Sequence, residues 1–267
     1  MTFSKITNVH PTYASIFFLF GALAQVHQLI KPAFEEARMI RMGRIVIALL
    51  LVFFALFAAA RTPLIAFFIV LGILWLRTKG WKRIFVPITI TAATLILAFI
   101  FITPLKQRYV QVAETEVALP QGDFHNSVNV RYGIFRCSLE ILEDNWLLGT
   151  SAGGLQQNMN YCFNQFDTIV YETGNYNTHN QYLDLWLSLG IFGLLAIFLI
   201  YWIPFAHALR TSSDLYLVFI IFFSVCCFTE NVLARQWGVE FFAFFNALFF
   251  FCFQQQEMGH TPYDQAT

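Results

Sequence analysis

Long apolar runs separated by short polar turns make up most of the chain. A helix that crosses a bilayer needs about 20 mostly apolar residues. Seven such runs occur, at residues 13–30, 44–60, 63–77, 84–103, 181–203, 214–230 and 237–254. Thr62 and Pro63 are residue types that begin helices, so they separate the second run from the third. The pattern predicts an all-α, polytopic integral membrane protein with about seven transmembrane helices.

The segment 104–180 interrupts this pattern because it is long and polar. Within it, residues 125–148 place Val130, Ile134, Cys137 and Ile141 at helical spacing. This spacing predicts an amphipathic helix that lies on or near the membrane face. Loops longer than about 15 residues are usually functional. We therefore expect the segment to bind the substrates.

These features divide the chain into four parts. Residues 1–103 hold the first four membrane helices, and residues 104–180 form the large loop with its amphipathic helix. Residues 181–254 hold the last three membrane helices, and residues 255–267 form a tail.

Basic residues in the short loops predict the orientation, because Lys and Arg are concentrated on the cytoplasmic side. The loops after the first and third runs contain Lys31, Arg38, Arg41, Arg44, Arg77, Lys79, Lys82 and Arg83. Both loops should be cytoplasmic, which places the large loop in the periplasm and the tail in the cytoplasm. The N-terminus is then outside, so we expect an odd number of helices to precede Met1 in a longer protein.

The composition agrees with a lipid environment. The 267 residues are 58% hydrophobic and 12% charged, whereas soluble domains are roughly 25% charged. The net charge of zero gives no reason to expect nucleic acid as a partner. The five cysteines lack metal-ligand spacing. Cys137 and Cys162 share the polar loop, and whether they pair depends on the compartment that holds it.

Several arginines are candidates for binding an anion on the outer side. Arg61 stands at the turn before the third run, where it is either a snorkelling helix end or a ligand for phosphate oxygens. Arg131 and Arg136 belong to the amphipathic helix and can also bind lipid headgroups. Arg136 is expected to pair with Glu140 four residues later. Arg131 has no such acidic neighbour and is the better ligand candidate.

A second candidate group surrounds the start of the fifth run. His179 and Asn180 precede it, and His179 is either a helix cap or a functional imidazole. Asp184 lies about one turn inside, where a carboxylate should face a bundle interior or a polar cavity. Glu230 is placed near the outer end of the sixth run. Gly190 and Gly193 are small enough for another helix to pack closely against them.

Four segments in this order resemble the O-antigen ligase family of bacterial membrane proteins. They are HPTYASIFFLF, AARTPLIAF, RYGIFRCSLEILEDNWLLGTSAGGL and HNQYLDLWLSLGIFGLL. The last is close to the family's His-Asn-x-x-Leu…Gly-x-x-Gly signature. Three departures occur: Ala60 replaces a common serine, Asn145-Trp146 replaces a proline neighbourhood, and Gly149-x-x-x-Gly153 replaces a tighter Gly-x-Gly.

The resemblance implies a membrane glycosyltransferase of lipopolysaccharide biosynthesis at the periplasmic face of the bacterial inner membrane. The donor would be a glycan on undecaprenyl diphosphate, and the acceptor lipid A–core or another glycan or protein. Neither a metal nor another cofactor is implied. His179 would be the general base on the acceptor hydroxyl, and Arg61 and Arg131 would bind the diphosphate. Asn180, Asp184, Arg136 and Glu230 are possible supporting residues.

Three other interpretations stay open at this point. An O-antigen polymerase or a protein O-oligosaccharyltransferase of the same family differs chiefly in its acceptor. A transporter of lipid-linked glycans would need charged residues through the bilayer depth, whereas the candidates here crowd the outer rim. An inactive truncated remnant would explain the missing N-terminal helices.

Overall fold

The computed structural model describes residues 9–32, 37–58, 60–77, 92, 96, 118–122, 126–172 and 176–258. Apart from an isolated bridge between Gly122 and Thr168, every regular element in these ranges is a helix. The α-helices are α1 (Pro11–Ile30), α2 (Arg38–Ala58), α3 (Arg61–Arg77), α4 (Ser127–Asn145), α5 (Gly154–Phe163), α6 (Gln181–Leu189), α7 (Ile191–Arg210), α8 (Asp214–Cys226) and α9 (Gln236–Met258).

The helices agree with the predicted all-α membrane class. Three stretches are long and apolar enough to cross a membrane, namely Pro11–Ile30, Arg38–Ala58 and Gln181–Arg210. Three further apolar helices are shorter, over Arg61–Leu74, Asp214–Cys226 and Gln236–Cys252. Six of the seven predicted runs thus coincide with helices, and the run 84–103 lies outside the described residues apart from two positions.

The chain divides into two compact units. The first consists of residues 1–106, 203–226 and 236–267. Its core is rich in phenylalanine, and the ring of Phe20 in α1 lies 5.1 Å from Phe219 in α8 and 5.0 Å from Phe245 in α9. These contacts bury the apolar faces of α1, α8 and α9 against one another.

An ionic cluster joins three helix ends in this unit. Asp214 begins α8, and its carboxylate is almost fully buried. It accepts hydrogen bonds from Lys31, just past the end of α1, and from Arg77 Nε, at the end of α3, at 2.8 Å. A buried carboxylate needs such partners to offset its desolvation. The shared contact brings the ends of α1 and α3 together with the start of α8.

The second unit consists of residues 107–202 and 227–235. Its core forms where α4 packs against α5 and α6, with Ile134, Met159 and Leu187 almost fully buried. Cys137 of α4 and Cys162 of α5 form a disulfide with a Cα–Cα distance of 5.7 Å. The structure therefore contains the pairing that the sequence left open.

The amphipathic helix exists but uses its apolar side differently from the prediction. Val130, Ile134, Cys137 and Ile141 are all buried in the core of the second unit. The face that was assigned to the membrane therefore contacts α5 and α6, because these helices supply an apolar surface that the sequence pattern does not reveal. Within the described residues, Arg136 and Glu140 form no ion pair.

The fifth run is two helices rather than one. Gly190 ends α6 with a φ of +62°, which L side chains rarely adopt. A Cβ added to Gly193 would lie 2.7 Å from the carbonyl carbon of Leu185. Residues eight apart in a straight helix are about 12 Å apart along its axis. The chain therefore folds back sharply at Gly190, and the 20 residues of α7 are by themselves long enough to cross a membrane.

Candidate active site

The candidate site is built at the start of α6, where a polar turn consists of Asn177, Thr178, His179 and Asn180. The side-chain oxygen of Asn180 caps the helix by accepting from the backbone N–H groups of Tyr182 and Leu183, each at 3.0 Å. Asn is a strong N-cap residue because it satisfies these otherwise unpaired donors. Since Asn180 is the cap, that alternative role of His179 is excluded.

His179 has an unusual backbone conformation next to this cap. Its φ is +47°, in the left-handed region that non-glycine residues seldom occupy. Its backbone N–H donates to the side-chain oxygen of Asn177 at 3.0 Å, which stabilises the turn. The side chain is partly buried, with 28% of its surface exposed. The turn thus leaves the imidazole partly accessible.

Glu230 faces this imidazole. Its Oε1 lies 3.6 Å from His179 Nδ1, and the carboxylate side chain is 14% exposed. The separation is within ion-pair range but longer than a hydrogen bond. Nδ1 is buried, and none of the residues that the structure describes forms a hydrogen bond with it. Glu230 is therefore the acidic group that faces this nitrogen of the imidazole.

A hydrogen-bond network fixes the segment that carries Glu230. The amide nitrogen of Asn231 donates to Asp184 Oδ1 at 2.7 Å. The hydroxyl of Thr178 lies 3.2 Å from both Asp184 Oδ1 and Asn231 Oδ1. Thr178, which precedes His179, and Asn231, which follows Glu230, are thus linked through the Asp184 carboxylate.

Two backbone contacts strengthen the same link. The N–H of Gln181 donates to the carbonyl of Cys227 at 2.9 Å. The N–H of Leu233 donates to the side-chain oxygen of Gln181 at 2.8 Å. The segment 227–233 is therefore attached to the start of α6 at several points, which holds Glu230 in place.

Arg131 lies on α4 in the same unit and is exposed. Nearby, Tyr171 donates from its hydroxyl to the carbonyl of Val130 at 2.9 Å and stacks on Phe163 at 4.1 Å. Burial raises the pKa of the Tyr171 phenol, so the group stays neutral. Gly133 leaves room for this ring, since a Cβ there would lie 3.3 Å from its Cζ. These contacts fix the turn of α4 that presents Arg131.

The predicted residues fall into two groups. His179, Asn180, Asp184, Glu230, Arg131 and Arg136 belong to the second unit, and the structure brings the first four together. Arg61 begins α3 in the first unit and is exposed. Across the described ranges, no group of three His, Cys, Asp or Glu side chains is arranged to hold a metal ion.

The sequence did not identify Thr178 or Asn231, although both are buried parts of the network. The position of Thr178 next to His179 is the only feature of the sequence that points to its role in the network. Asn231 meets Asp184 across 47 positions of sequence, which no local pattern records.

Comparison with known proteins identifies the family of the chain. None of the curated proteins compared with the chain matches it. The family model described as O-antigen ligase matches residues 46–198, more than half of the chain. Those residues include α4, α5, α6 and His179, although Glu230 lies beyond them. The chain therefore belongs to the O-antigen ligase family, whose members are membrane enzymes of glycan transfer.

Proposed function

We propose that the chain transfers a glycan from undecaprenyl diphosphate to a hydroxyl of an acceptor such as lipid A–core, at the periplasmic face of the bacterial inner membrane. The observation that carries the proposal is His179 held opposite Glu230 at the start of α6. The Cys137–Cys162 disulfide supports an oxidising compartment for this unit.

In the proposed reaction, the imidazole of His179 takes the proton of the acceptor hydroxyl as that oxygen attacks the anomeric carbon. A sugar hydroxyl is a weak nucleophile, so positioned base catalysis contributes about 10²–10⁴-fold. The carbon–oxygen bond to the diphosphate breaks with its electron pair on the leaving oxygen. Direct displacement inverts the anomeric centre.

Arginines neutralise the leaving group in this scheme. Arg131 is exposed on a turn of α4 that Tyr171 fixes, and its planar guanidinium matches phosphate oxygens in a bidentate geometry. Arg61 is assigned the same role from its place in the family segment. Preorganised cations stabilise charge that develops in the transition state. Glu230 stabilises the imidazolium, while Asp184 and Asn180 hold the turn.

Complementation of a ligase-deficient strain tests the proposal. The gene that encodes the chain is expressed in that strain. We expect the wild type to restore long-chain lipopolysaccharide and His179→Ala to fail at equal protein level. His10→Asn is the matched control, because His10 caps α1 through its side chain and asparagine also caps helices. Restoration by His179→Ala would overturn the assigned base.

The products separate the acceptor classes. Polymerised repeat units without transfer to lipid A–core would instead identify an O-antigen polymerase. Glycan on a co-expressed protein acceptor would identify a protein O-oligosaccharyltransferase.

A further inference from the structure

An exposed apolar surface runs along the second unit on the opposite side of α4 from its buried face. Three residues of this surface belong to α4, and three follow it in the turn before Gly149. They are Tyr132, Phe135, Leu139, Trp146, Leu147 and Leu148, and each exposes more than two fifths of its surface. We refer to these six residues as the outer stripe.

The outer stripe is one continuous face with a charged border. At about 100° per residue, Phe135, Leu139 and Tyr132 fall within roughly 60° of one another around the helix. Arg131 and Arg136 lie on either side of them, about 140° apart, and the exposed Glu143 lies between Tyr132 and Arg136, about 20° from each. Aromatic and aliphatic residues flanked by arginines are typical of helices that lie in the headgroup region of a bilayer.

The end of the outer stripe is attached to the start of α7. The N–H of Ile191 donates to the carbonyl of Leu147 at 3.1 Å, and the indole N–H of Trp186 donates to the carbonyl of Trp146 at 3.0 Å. Gly149 touches the same place, since a Cβ on it would lie 2.5 Å from the backbone nitrogen of Gly190. The backbone polar groups are thus paired while the apolar side chains point outward.

The length of α7 determines where along the bilayer normal this attachment lies. Its 20 residues span about 30 Å, which equals the hydrocarbon thickness of a typical bilayer. Polar residues follow it at Thr211, Ser212 and Ser213, so Ile191 must lie near the opposite boundary. Exposed apolar side chains begin at Leu189 and continue through Phe192, Leu195 and Phe198.

We infer that the outer stripe is inserted into the outer leaflet at the boundary between headgroups and acyl chains. It continues the lipid-facing surface of α7, so its partner is the bilayer itself. Arg131 and Arg136 then stand at the height of lipid phosphates. The inference does not depend on the glycan transfer proposed above.

Spin-label accessibility in proteoliposomes of phosphatidylethanolamine and phosphatidylglycerol tests this placement. Single cysteines replace Leu139 and Leu148 in a full-length Cys252→Ser background, where Cys226 and Cys227 are buried and the disulfide is intact. Gln157→Cys on α5 is the control, because Gln157 is an exposed polar residue of the same unit. Each labelled protein must unfold at the wild-type temperature before it is compared.

We expect labels at 139 and 148 to collide with oxygen more often, and with a water-soluble nickel chelate several-fold less often, than the label at 157. Equal exposure to nickel at 148 and 157 would overturn the inference. Protection of 139 and 148 from both reagents would also overturn it, since that result indicates coverage by protein, such as a second copy of the chain.

Discussion

At the residue scale, His179 combines an unusual backbone conformation with a partly accessible imidazole. A left-handed φ at a non-glycine residue costs about 1–2 kcal/mol, and His179 adopts one immediately before the α6 cap. Strain of this kind persists only where surrounding contacts determine it. Here the contacts are the Asn177 side chain before the histidine and the Asn180 cap after it.

Glu230 offers the most direct test of this arrangement. Glu230→Gln preserves size and removes the charge 3.6 Å from Nδ1. The imidazolium formed in the reaction then loses its counter-charge, and a loss of about 1.4 kcal/mol corresponds to ten-fold in rate. We expect kcat to fall about ten-fold, with KM for the lipid-linked donor little changed, in initial-rate assays of purified protein in proteoliposomes.

The control for this experiment is Glu143→Gln, because Glu143 is exposed at the end of α4. It should retain the wild-type kcat. A Glu230→Gln protein with unchanged kcat would show that the carboxylate has no role in the reaction.

Asp184 has a positioning role, because its carboxylate accepts hydrogen bonds. Two substitutions can distinguish this role from a requirement for its negative charge. Its Oδ1 receives the Asn231 and Thr178 donors, and asparagine presents an oxygen at the same place. Asp184→Ala leaves buried donors unpaired, which costs about 1–3 kcal/mol. We expect a lower unfolding temperature and lower activity for Asp184→Ala, with Asp184→Asn close to wild type. Equal damage in both variants would contradict the positioning role.

At the element scale, the turn at Gly190 determines where α6 ends and how α4 is attached. Gly190 meets the backbone of Leu147 and Leu148, and a Cβ there would lie 2.7 Å from the Leu148 carbonyl carbon. Gly193 meets the carbonyl of Leu185. The two glycines therefore allow the chain to fold back and to contact a turn, rather than to pack against a separate helix as the sequence suggested.

Gly190→Ala should destabilise the second unit. The substitution combines a steric overlap with a positive φ, and a non-glycine residue in such a conformation costs about 1–3 kcal/mol. Thermal unfolding in detergent should show a lower midpoint than wild type. Gly153→Ala is the matched control, because a Cβ there meets nothing within 4 Å. An unchanged midpoint for Gly190→Ala would contradict the described turn.

The disulfide links α4 to α5 across 25 positions of sequence. Closing a loop of this length restricts the unfolded chain and stabilises the folded one by about 3 kcal/mol. We expect reductant to lower the unfolding midpoint of the wild type. The Cys137→Ala/Cys162→Ala protein should start at the lower midpoint and show no response to reductant. A reductant effect of equal size in both proteins would argue against this bond.

At the scale of the whole molecule, the sequence predicted the helices better than their contacts. Apolar runs identify helices because lipid imposes their length, so six predicted runs coincide with helices. The run 181–203 did not reveal its break, since apolar residues continue through Gly190. The α4 sequence contains two apolar faces, and nothing in it distinguishes the face that packs on α5 and α6 from the exposed one.

The candidate site likewise contains residues that the sequence predicts and contacts that it does not. His179 and Asn180 could be found because their short motif is continuous in sequence. A carboxylate in an apolar run is unusual, which makes Asp184 a candidate, but its partner Asn231 lies 47 positions away. Hydrogen bonds between distant polar residues leave no periodic signal, so the network required the structure.

The attachment of the outer stripe to the start of α7 has a consequence for the choice of lipid. A crossing helix of fixed length responds to bilayer thickness by tilting or by deforming the bilayer. Because the α4–α5 turn is bonded to Ile191, a change in acyl-chain length would also move α4 relative to the headgroups. We expect transfer rates in proteoliposomes to pass through a maximum as acyl chains lengthen. A rate that does not change with chain length would show that catalysis is independent of membrane thickness.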